Sequence, residues 1–407
     1  MSKRIVLLTP GQPTLNPRLV KEADVLADAG YSVTVIYSYW NAWATELDID
    51  LLKNKKWKAV RVGGDPKSGK ITYWLSRLVY KAVVFFYEMT GPGAGLGELA
   101  IGRSAALLGR AACREKADLY IAHNLAALPA AVKAAKRNGG RSGFDAEDLH
   151  RFETSGKRSD KDVLLKVFIE DKYLSQASYL TTSSPQIANA YKQLYPDIDP
   201  AVIYNVFPGS YLRRLPENSG SPRLRLFWFS QTIGANRGLR DIVEALLLLG
   251  DPAIELHLLG DTPSGDPFIK ELDESGIKIN YYPPVAPDAL VGFSSQFDIG
   301  LALEPGFCMN NDLALSNKMF TYLQAGLAIV ASDTLAQQNF VSTHPAIGKI
   351  YPKGDAGTLA AILDGYKRDR KKLTDAKLAA LQLARERFNW EQESVKFMDI
   401  IKNTLGG

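Results

Sequence analysis

Apolar residues fall into two rhythms along this chain. Short continuous runs alternate with segments whose apolar positions recur every three to four residues. Lys3-Arg4-Ile5-Val6-Leu7-Leu8-Thr9 belongs to the first kind and reads as a buried strand. A Gly/Pro loop (Pro10-Gly11-Gln12-Pro13) leads into a helix from about Pro17 to Ala29. Gly30 stops that helix, and Tyr31 to Tyr37 is the next strand. The same unit recurs from Leu224: a strand to Phe229, a loop to Asn236, a helix from Arg237 to Leu249, and a strand from Ile254 to Leu259. Strand-loop-helix-strand order implies a parallel sheet with right-handed crossovers. The expected fold class is therefore α/β, with two tandem Rossmann-like domains facing across a cleft. Residues 1–208 form the first domain and 223–387 the second. The Pro-, Gly-, Ser- and Arg-rich stretch 209–222 is a linker. Phe388-Asn389-Trp390-Glu391 breaks the helical pattern, and 388–407 is expected to close the chain as a helix packed back on the first domain.

Composition narrows the function classes. With 407 residues, 46% hydrophobic and 23% charged, the chain is an ordinary globular protein. Its two cysteines, Cys113 and Cys308, exclude a disulfide scaffold and suit a reducing compartment. Residues 1–215 hold 30 Lys+Arg against 21 Asp+Glu, a net of +9; the remainder holds 19 against 23, a net of −4. A basic first half points to an anionic partner there, phospholipid or lipid pyrophosphate. Nucleic acid is disfavoured, because the basic residues are dispersed and no recognition module is present. No secretory signal is visible, and Arg77 and Lys81 interrupt the longest apolar window, Ile71 to Met89. The expected location is the cytoplasm or the inner face of its membrane. The aromatic, basic segment Ile71 to Tyr87 is either an interfacial helix or a buried helix of the first domain, and the buried reading is preferred.

In open parallel sheets, ligands bind beyond the carboxyl ends of the strands, so candidate residues are weighed by that position. His123 qualifies, at the end of the strand Ala117 to Ala122; the bland alternative is a ring satisfied by its own loop. Gln231, Gly234 and Arg237 follow the first strand of the second domain, where helix N–H groups and a guanidinium can cradle a diphosphate. The stretch Leu315 to Val330 opens a helix with Ser316 and Asn317, places Lys318 beside that opening, and closes it with Gly326. Phe144-Asp145-Ala146-Glu147-Asp148-Leu149 sets three acids at another strand end, suited to a general base or to holding an acceptor hydroxyl, or equally to a solvated loop. No cofactor or metal is called for. Gly95-Leu96-Gly97-Glu98-Leu99-Ala100 matches a dinucleotide fingerprint but follows a helical segment instead of a first strand. Asp48-Ile49-Asp50 and Asp197-Ile198-Asp199 do not end strands, and the four histidines and two cysteines lack zinc spacing.

Taken in order, these motifs resemble glycosyltransferases of the GT-B fold, and within them the retaining group called family 4. The resemblance covers nearly the whole chain. It rests on the opening strand with Asn16-Pro17-Arg18, on Asp118 to Asn124, and on Phe144 to Leu149, where Glu147 stands in place of a usual histidine. It continues through Gly234 to Leu239, Leu259-Gly260-Asp261, Asn317-Lys318-Met319-Phe320-Thr321-Tyr322 and Phe388 to Glu391. The resemblance implies transfer of a sugar from a nucleotide-diphosphate donor to an acceptor hydroxyl, with retention, in cell-surface polysaccharide or glycolipid assembly. It implies that Arg237 and Lys318 stabilise the leaving diphosphate and that His123 contacts the sugar and steadies an oxocarbenium-like state. Gly11, Gln231, Gly234, Gly260, Asp261, Glu304, Ser316, Asn317 and Thr321 would line the donor site. Asn16, Arg18, Asp145 and Glu147 would face a lipid-linked or glycan acceptor, with an anionic membrane as a further partner. Two departures stand out: Thr321 replaces the second of the family's paired glutamates, and the first is missing unless Glu304 or Asp312 substitutes. Two other readings follow from those departures and from the shared architecture. One is a non-catalytic GT-B-like binding or scaffold subunit of a polysaccharide assembly system; the other is a sugar-nucleotide 2-epimerase.

Overall fold

The computed structural model describes residues 2–91, 95–154, 157, 159–212 and 223–406. Most of the expected linker, 213–222, lies outside the described residues. The chain forms two compact units. One comprises Met1–Ile203 with Cys308–Asn310 and Ser394–Gly407; the other comprises Tyr204–Phe307 with Asn311–Glu393.

The first unit is built on β1 (Arg4–Thr9), α1 (Pro17–Asp28), β2 (Ser32–Ser38), α2 (Ala42–Leu52), β3 (Lys58–Val62), α3 (Lys70–Thr90), β4 (Leu119–His123), β5 (Arg141–Glu147), β6 (Tyr179–Thr182) and β7 (Ala201–Val202). The sheet order is β3-β2-β1-β4-β5-β6-β7, and every pairing is parallel. Ile5, Leu7 and Leu8 are wholly buried, as a strand covered on both faces requires. At the start of α1, the Asn16 side chain accepts a hydrogen bond from the Leu19 N–H at 3.0 Å, and Pro17 sits at the first helical position. The order reverses between β1 and β4, so the switch point lies between the loop after Thr9 and His123.

The second unit repeats the plan with β8 (Leu224–Thr232), β9 (Ile254–Asp261), β10 (Ile279–Tyr282), β11 (Ile299–Ala302), β12 (Ala328–Ser332) and β13 (Gly348–Tyr351), in the order β10-β9-β8-β11-β12-β13. Its switch point lies between β8 and β11. The helix Asn317–Ala325 is pressed onto β11. A Cβ on Gly300 would come within 2.2 Å of the Tyr322 ring, and the Tyr322 hydroxyl donates to the Leu301 carbonyl at 3.0 Å. Gly326, at φ 69°, ends that helix in the left-handed region. The two apolar layers of this unit meet the two faces of the sheet, one around Trp228 and Leu256, the other around Phe227, which stacks on Phe297 at 4.5 Å.

Three expectations need correction. The helix expected from Arg237 begins at Leu239; Arg237 belongs to a short 3-10 turn, Ala235–Arg237, and Gly238 at φ 72° separates the two. The strand expected to end at Leu259 continues as β9 through Gly260 to Asp261. The segment Ile71 to Tyr87 is helical but not buried: α3 packs inward through Tyr73 and Tyr87, and much of its apolar surface is exposed. The Gly95–Ala100 fingerprint also has a packing explanation, since a Cβ on Gly97 would lie 2.7 Å from the Phe168 ring.

Candidate functional site

At the strand ends of the first unit, a buried charge cluster joins α1 to β4 and β5. Positions 18 and 22 share one face of α1, four residues apart. The Arg18 guanidinium grips Asp145 with two nitrogens, each at 2.7 Å, and Thr181 Oγ1 donates to the same carboxylate at 2.7 Å. His123 lies between two acids. Its Nε2 is 3.1 Å from Glu22 Oε2 and its Nδ1 is 3.2 Å from Asp145 Oδ2. Burial alone would lower the His123 pKa, but the two facing carboxylates outweigh it and hold the ring up at about 10, so the ring is an imidazolium. Burial would raise the Asp145 carboxyl; Arg18 and His123 bring it well below the usual carboxylate range. Glu22, His123 and Asp145 are spaced as metal ligands would be. However, Arg18 and the imidazolium already supply two positive charges to two carboxylates, which leaves little electrostatic demand for a cation.

This arrangement changes the roles expected from the sequence. Arg18, His123 and Asp145 are each about 1% exposed and directed at one another, so none presents its charged atoms to an acceptor or a sugar. Asn16 caps α1, and Gly11 backs onto Thr9 Oγ1 at 3.3 Å. Glu147 differs. It is half-buried, adopts φ 59° in the left-handed region, and sits where the β5–β6 register shifts. Burial, with Asp145 and Asp148, pushes its carboxyl up to about 7 against the pull of Arg18. Lys21, three residues beyond Arg18 on α1, is pushed down to about 7 by burial and by Arg18. The loop after β1 is organised by Gln12, which is fully buried. Gln12 Nε2 donates to Asp48 at 2.9 Å, and its Oε1 accepts from the Trp40 and Asn41 N–H groups. Asp48 is thus a loop anchor. Sequence reasoning missed Glu22, Lys21 and Gln12; the i, i+4 relation of Arg18 and Glu22 was a readable signal for the first.

At the switch point of the second unit, Lys318 and Glu304 form a buried ion pair of 2.7 Å. Glu304 follows β11, and Lys318 lies in the first turn of the helix Asn317–Ala325. Ser316 Oγ, the cap of that helix, donates to Glu304 Oε1 at 2.9 Å, and Asn311 Nδ2 donates to Oε2 at 3.2 Å. Burial works to raise the Glu304 carboxyl, but Lys318 with these donors brings it down to about 2. Lys318 Nζ also stands 5.5 Å from the centre of the Trp228 ring on β8. The turn bearing Arg237 is brought to the same place. A Cβ on Gly238 would fall 1.9 Å from the Leu303 carbonyl oxygen, so the backbone beside Arg237 lies directly against the residue preceding Glu304. Arg237, Gln231, Asp261 and Asn317 are exposed at these strand and helix ends. Gly260 closes onto the β8 end, where its Cβ would lie 2.8 Å from the Ser230 carbonyl oxygen. Gly234 is extended, with open space around it. Thr321 is fully buried, and its hydroxyl donates to the Asn317 carbonyl at 3.1 Å, so it is not presented to a ligand.

In chemical terms, the second unit offers a helix start, an exposed cation in Arg237, and a carboxylate held in its ionised form. These can hold a diphosphate and hydroxyl groups near it.

No protein-family model matches the sequence, and no curated protein matches it. Solved structures do match the fold. HepE of Anabaena, solved in complex with UDP-glucose, superimposes with a TM-score of 0.68 at 16% identity over 98% of this chain and 100% of that one. TarM of S. aureus, solved with UDP among its ligands, gives 0.71 at 9% identity over 100% of both chains. WaaG, a glycosyltransferase involved in lipopolysaccharide biosynthesis, gives 0.64 at 11% identity over 99% of this chain and 100% of that one. The chain therefore has the two-domain α/β architecture of the GT-B fold.

Proposed function

We propose that the chain is a glycosyltransferase that moves a sugar from a nucleotide-diphosphate donor to an acceptor hydroxyl, with retention at the anomeric carbon, in polysaccharide or glycolipid assembly. The observation that carries this reading is the packing of the Arg237 turn, through Gly238, against Leu303, the residue before the Glu304 that pairs with Lys318 at the switch point of the second unit. HepE, of the same fold, holds UDP-glucose. The bond from the anomeric carbon to the diphosphate oxygen breaks, and negative charge grows on the leaving group. Arg237 and the N–H groups opening the Asn317–Ala325 helix answer that charge. Lys318 orients Glu304, whose ionised carboxylate accepts hydrogen bonds from the donor's hydroxyl groups. The acceptor oxygen forms the new bond, and its proton passes to the departing phosphate oxygen. Glu147 holds the acceptor hydroxyl. The acceptor is a lipid-linked or glycan chain, reached at an anionic membrane surface on the cytoplasmic side. The basic first half of the chain supports this assignment.

A thermal-shift panel of UDP, GDP, ADP and dTDP tests the donor site. A ligand present at 100 times its Kd adds about 2.7 kcal/mol of stability. Stabilisation by at least one compound, lost in Arg237→Ala, is the expected result; no response to any of them rejects the reading. The buried Thr321, standing where a carboxylate would hold the donor, favours a binding subunit without catalysis as the second reading. Transfer or hydrolysis of any sugar nucleotide excludes it, and interconversion of epimers without acceptor would instead identify an epimerase.

A further inference from the structure

The helix α3 carries a solvent-facing apolar stripe that the packing of the first unit leaves uncovered. Tyr73 and Tyr87, fourteen residues apart on one face, are its buried side chains. On the other face, Ile71, Trp74, Leu75, Leu78, Phe85, Phe86 and Met89 recur at helical spacing and are each more than half exposed, Ile71 at 84% and Met89 at 69%. A helix of 21 residues is about 32 Å long at 1.5 Å per residue, so the stripe is far larger than scattered surface apolar residues would be. Trp40 and Trp43, also exposed, follow the end of β2, Trp43 in the first turn of α2. There Tyr39 meets Tyr73 edge-on at 5.7 Å, and Tyr73 meets Trp74 at 5.2 Å.

We infer that α3 lies in the plane of an anionic lipid surface, with this stripe sunk among the acyl chains. The charges select that occupant. Exposed Lys67, Lys70 and Lys81 border the stripe, Arg77 rests over the Tyr73 ring at 4.5 Å, and Glu88 is the only acid between Lys70 and Thr90. Lysines beside an apolar helical face gain energy against anionic headgroups. A second copy of this chain seated on the same stripe would instead bring like charges together, and protein interfaces are depleted in lysine. Trp74, on the stripe itself and 62% exposed, suits the boundary between headgroups and water. No helix among the described residues is long and apolar enough to cross a membrane, so the contact is in-plane. This deepens the membrane part of the proposed function, and it rests on that reading only for the acceptor being lipid-borne.

The test is co-sedimentation of the full chain with vesicles of phosphatidylglycerol and phosphatidylcholine, against vesicles of phosphatidylcholine alone. Wild type should bind the anionic vesicles. The triple variant Lys67→Gln, Lys70→Gln, Lys81→Gln should bind them roughly a hundred-fold more weakly. Leu78→Glu with Phe86→Glu should abolish binding while leaving the circular dichroism spectrum and the nucleotide thermal shift unchanged. Absence of wild-type binding overturns the inference, as does equal binding by the glutamate variant. So does a dimer in light scattering that those two substitutions convert to a monomer. Since nucleotide response is read separately, loss of the membrane contact and failure of the sugar-transfer reading are distinguishable.

Discussion

Lys318 Nζ lies 2.7 Å from Glu304 Oε1, joining the first turn of one helix to the end of β11 across the switch point of the second unit. Both side chains are nearly buried, so each depends on the other. Removing one partner strands a buried charge, and Lys318→Met should cost about 3–5 kcal/mol. The double variant Lys318→Met, Glu304→Gln should recover most of that stability, because no charge is left unpaired, yet it should not recover turnover. Denaturant titration of the two singles and the double, with transfer rates on the same samples, separates the two effects. A double variant as active as wild type would remove the pair from the chemistry.

His123 depends on Glu22 and Asp145 in a similar way, and its charge ties it to pH. The folded ring is held up at about 10, above its unfolded value of 6.5. The stability it contributes is therefore fully present below about pH 6.5 and is lost as pH rises through about 10. Lys21 shifts the other way in the same range, being pushed down to about 7, so the wild-type curve alone is ambiguous. The informative quantity is the difference between wild type and His123→Gln. It should be largest at pH 6 and shrink steadily towards pH 10 in chemical denaturation. A difference independent of pH would mean that the ring is neutral.

The sequence made the fold legible because its strands are covered on both faces. Runs such as Ile5 to Leu8 and Ala328 to Val330 carry no competing period, and Gly30, Gly250 and Gly326 mark helix ends. The candidate residues of the second unit were partly legible for the same reason: Ser316 and Lys318 open a helix directly before a strand. Those of the first unit were not. Arg18, His123 and Asp145 lie on three elements far apart in sequence, and only the parallel register of β1, β4 and β5 turns them towards one another. Charge and position suggested ligand contacts, whereas mutual neutralisation placed them in the interior. The exposure of α3 was hidden by the opposite ambiguity. An apolar stripe looks alike whether it faces a core or a lipid surface, and only packing tells them apart.

Gly238 holds the Arg237 turn against Leu303, and its position leaves no room for a side chain. At φ 72°, with a Cβ falling 1.9 Å from a carbonyl oxygen, Gly238→Ala combines left-handed strain with an overlap that backbone must relieve. The expected cost is about 2–4 kcal/mol. Because relief moves the turn, nucleotide affinity should fall as well, approaching that of Arg237→Ala. Gly234→Ala, in open space with extended backbone, should leave both properties unchanged. Isothermal titration with the best nucleotide of the panel, beside thermal melts, decides this. Equal affinity in Gly238→Ala and wild type would show that the turn does not position Arg237.

Glu147 should give the acceptor site its own pH dependence. Burial pushes its carboxyl up to about 7, so it passes from protonated to ionised across the neutral range. Only the ionised form is acceptor-only, and a hydrogen bond from a hydroxyl to a charged group is worth about 1.5–3 kcal/mol. The acceptor KM should therefore fall as pH rises through about 7, while the donor KM stays level. Glu147→Gln should raise the acceptor KM roughly tenfold above that pH and flatten the profile. Lys21→Met provides the needed contrast, because Lys21 is pushed down into the same range. If the profile survives in Glu147→Gln and flattens in Lys21→Met, the titrating group is the lysine, and the acceptor hydroxyl is held elsewhere.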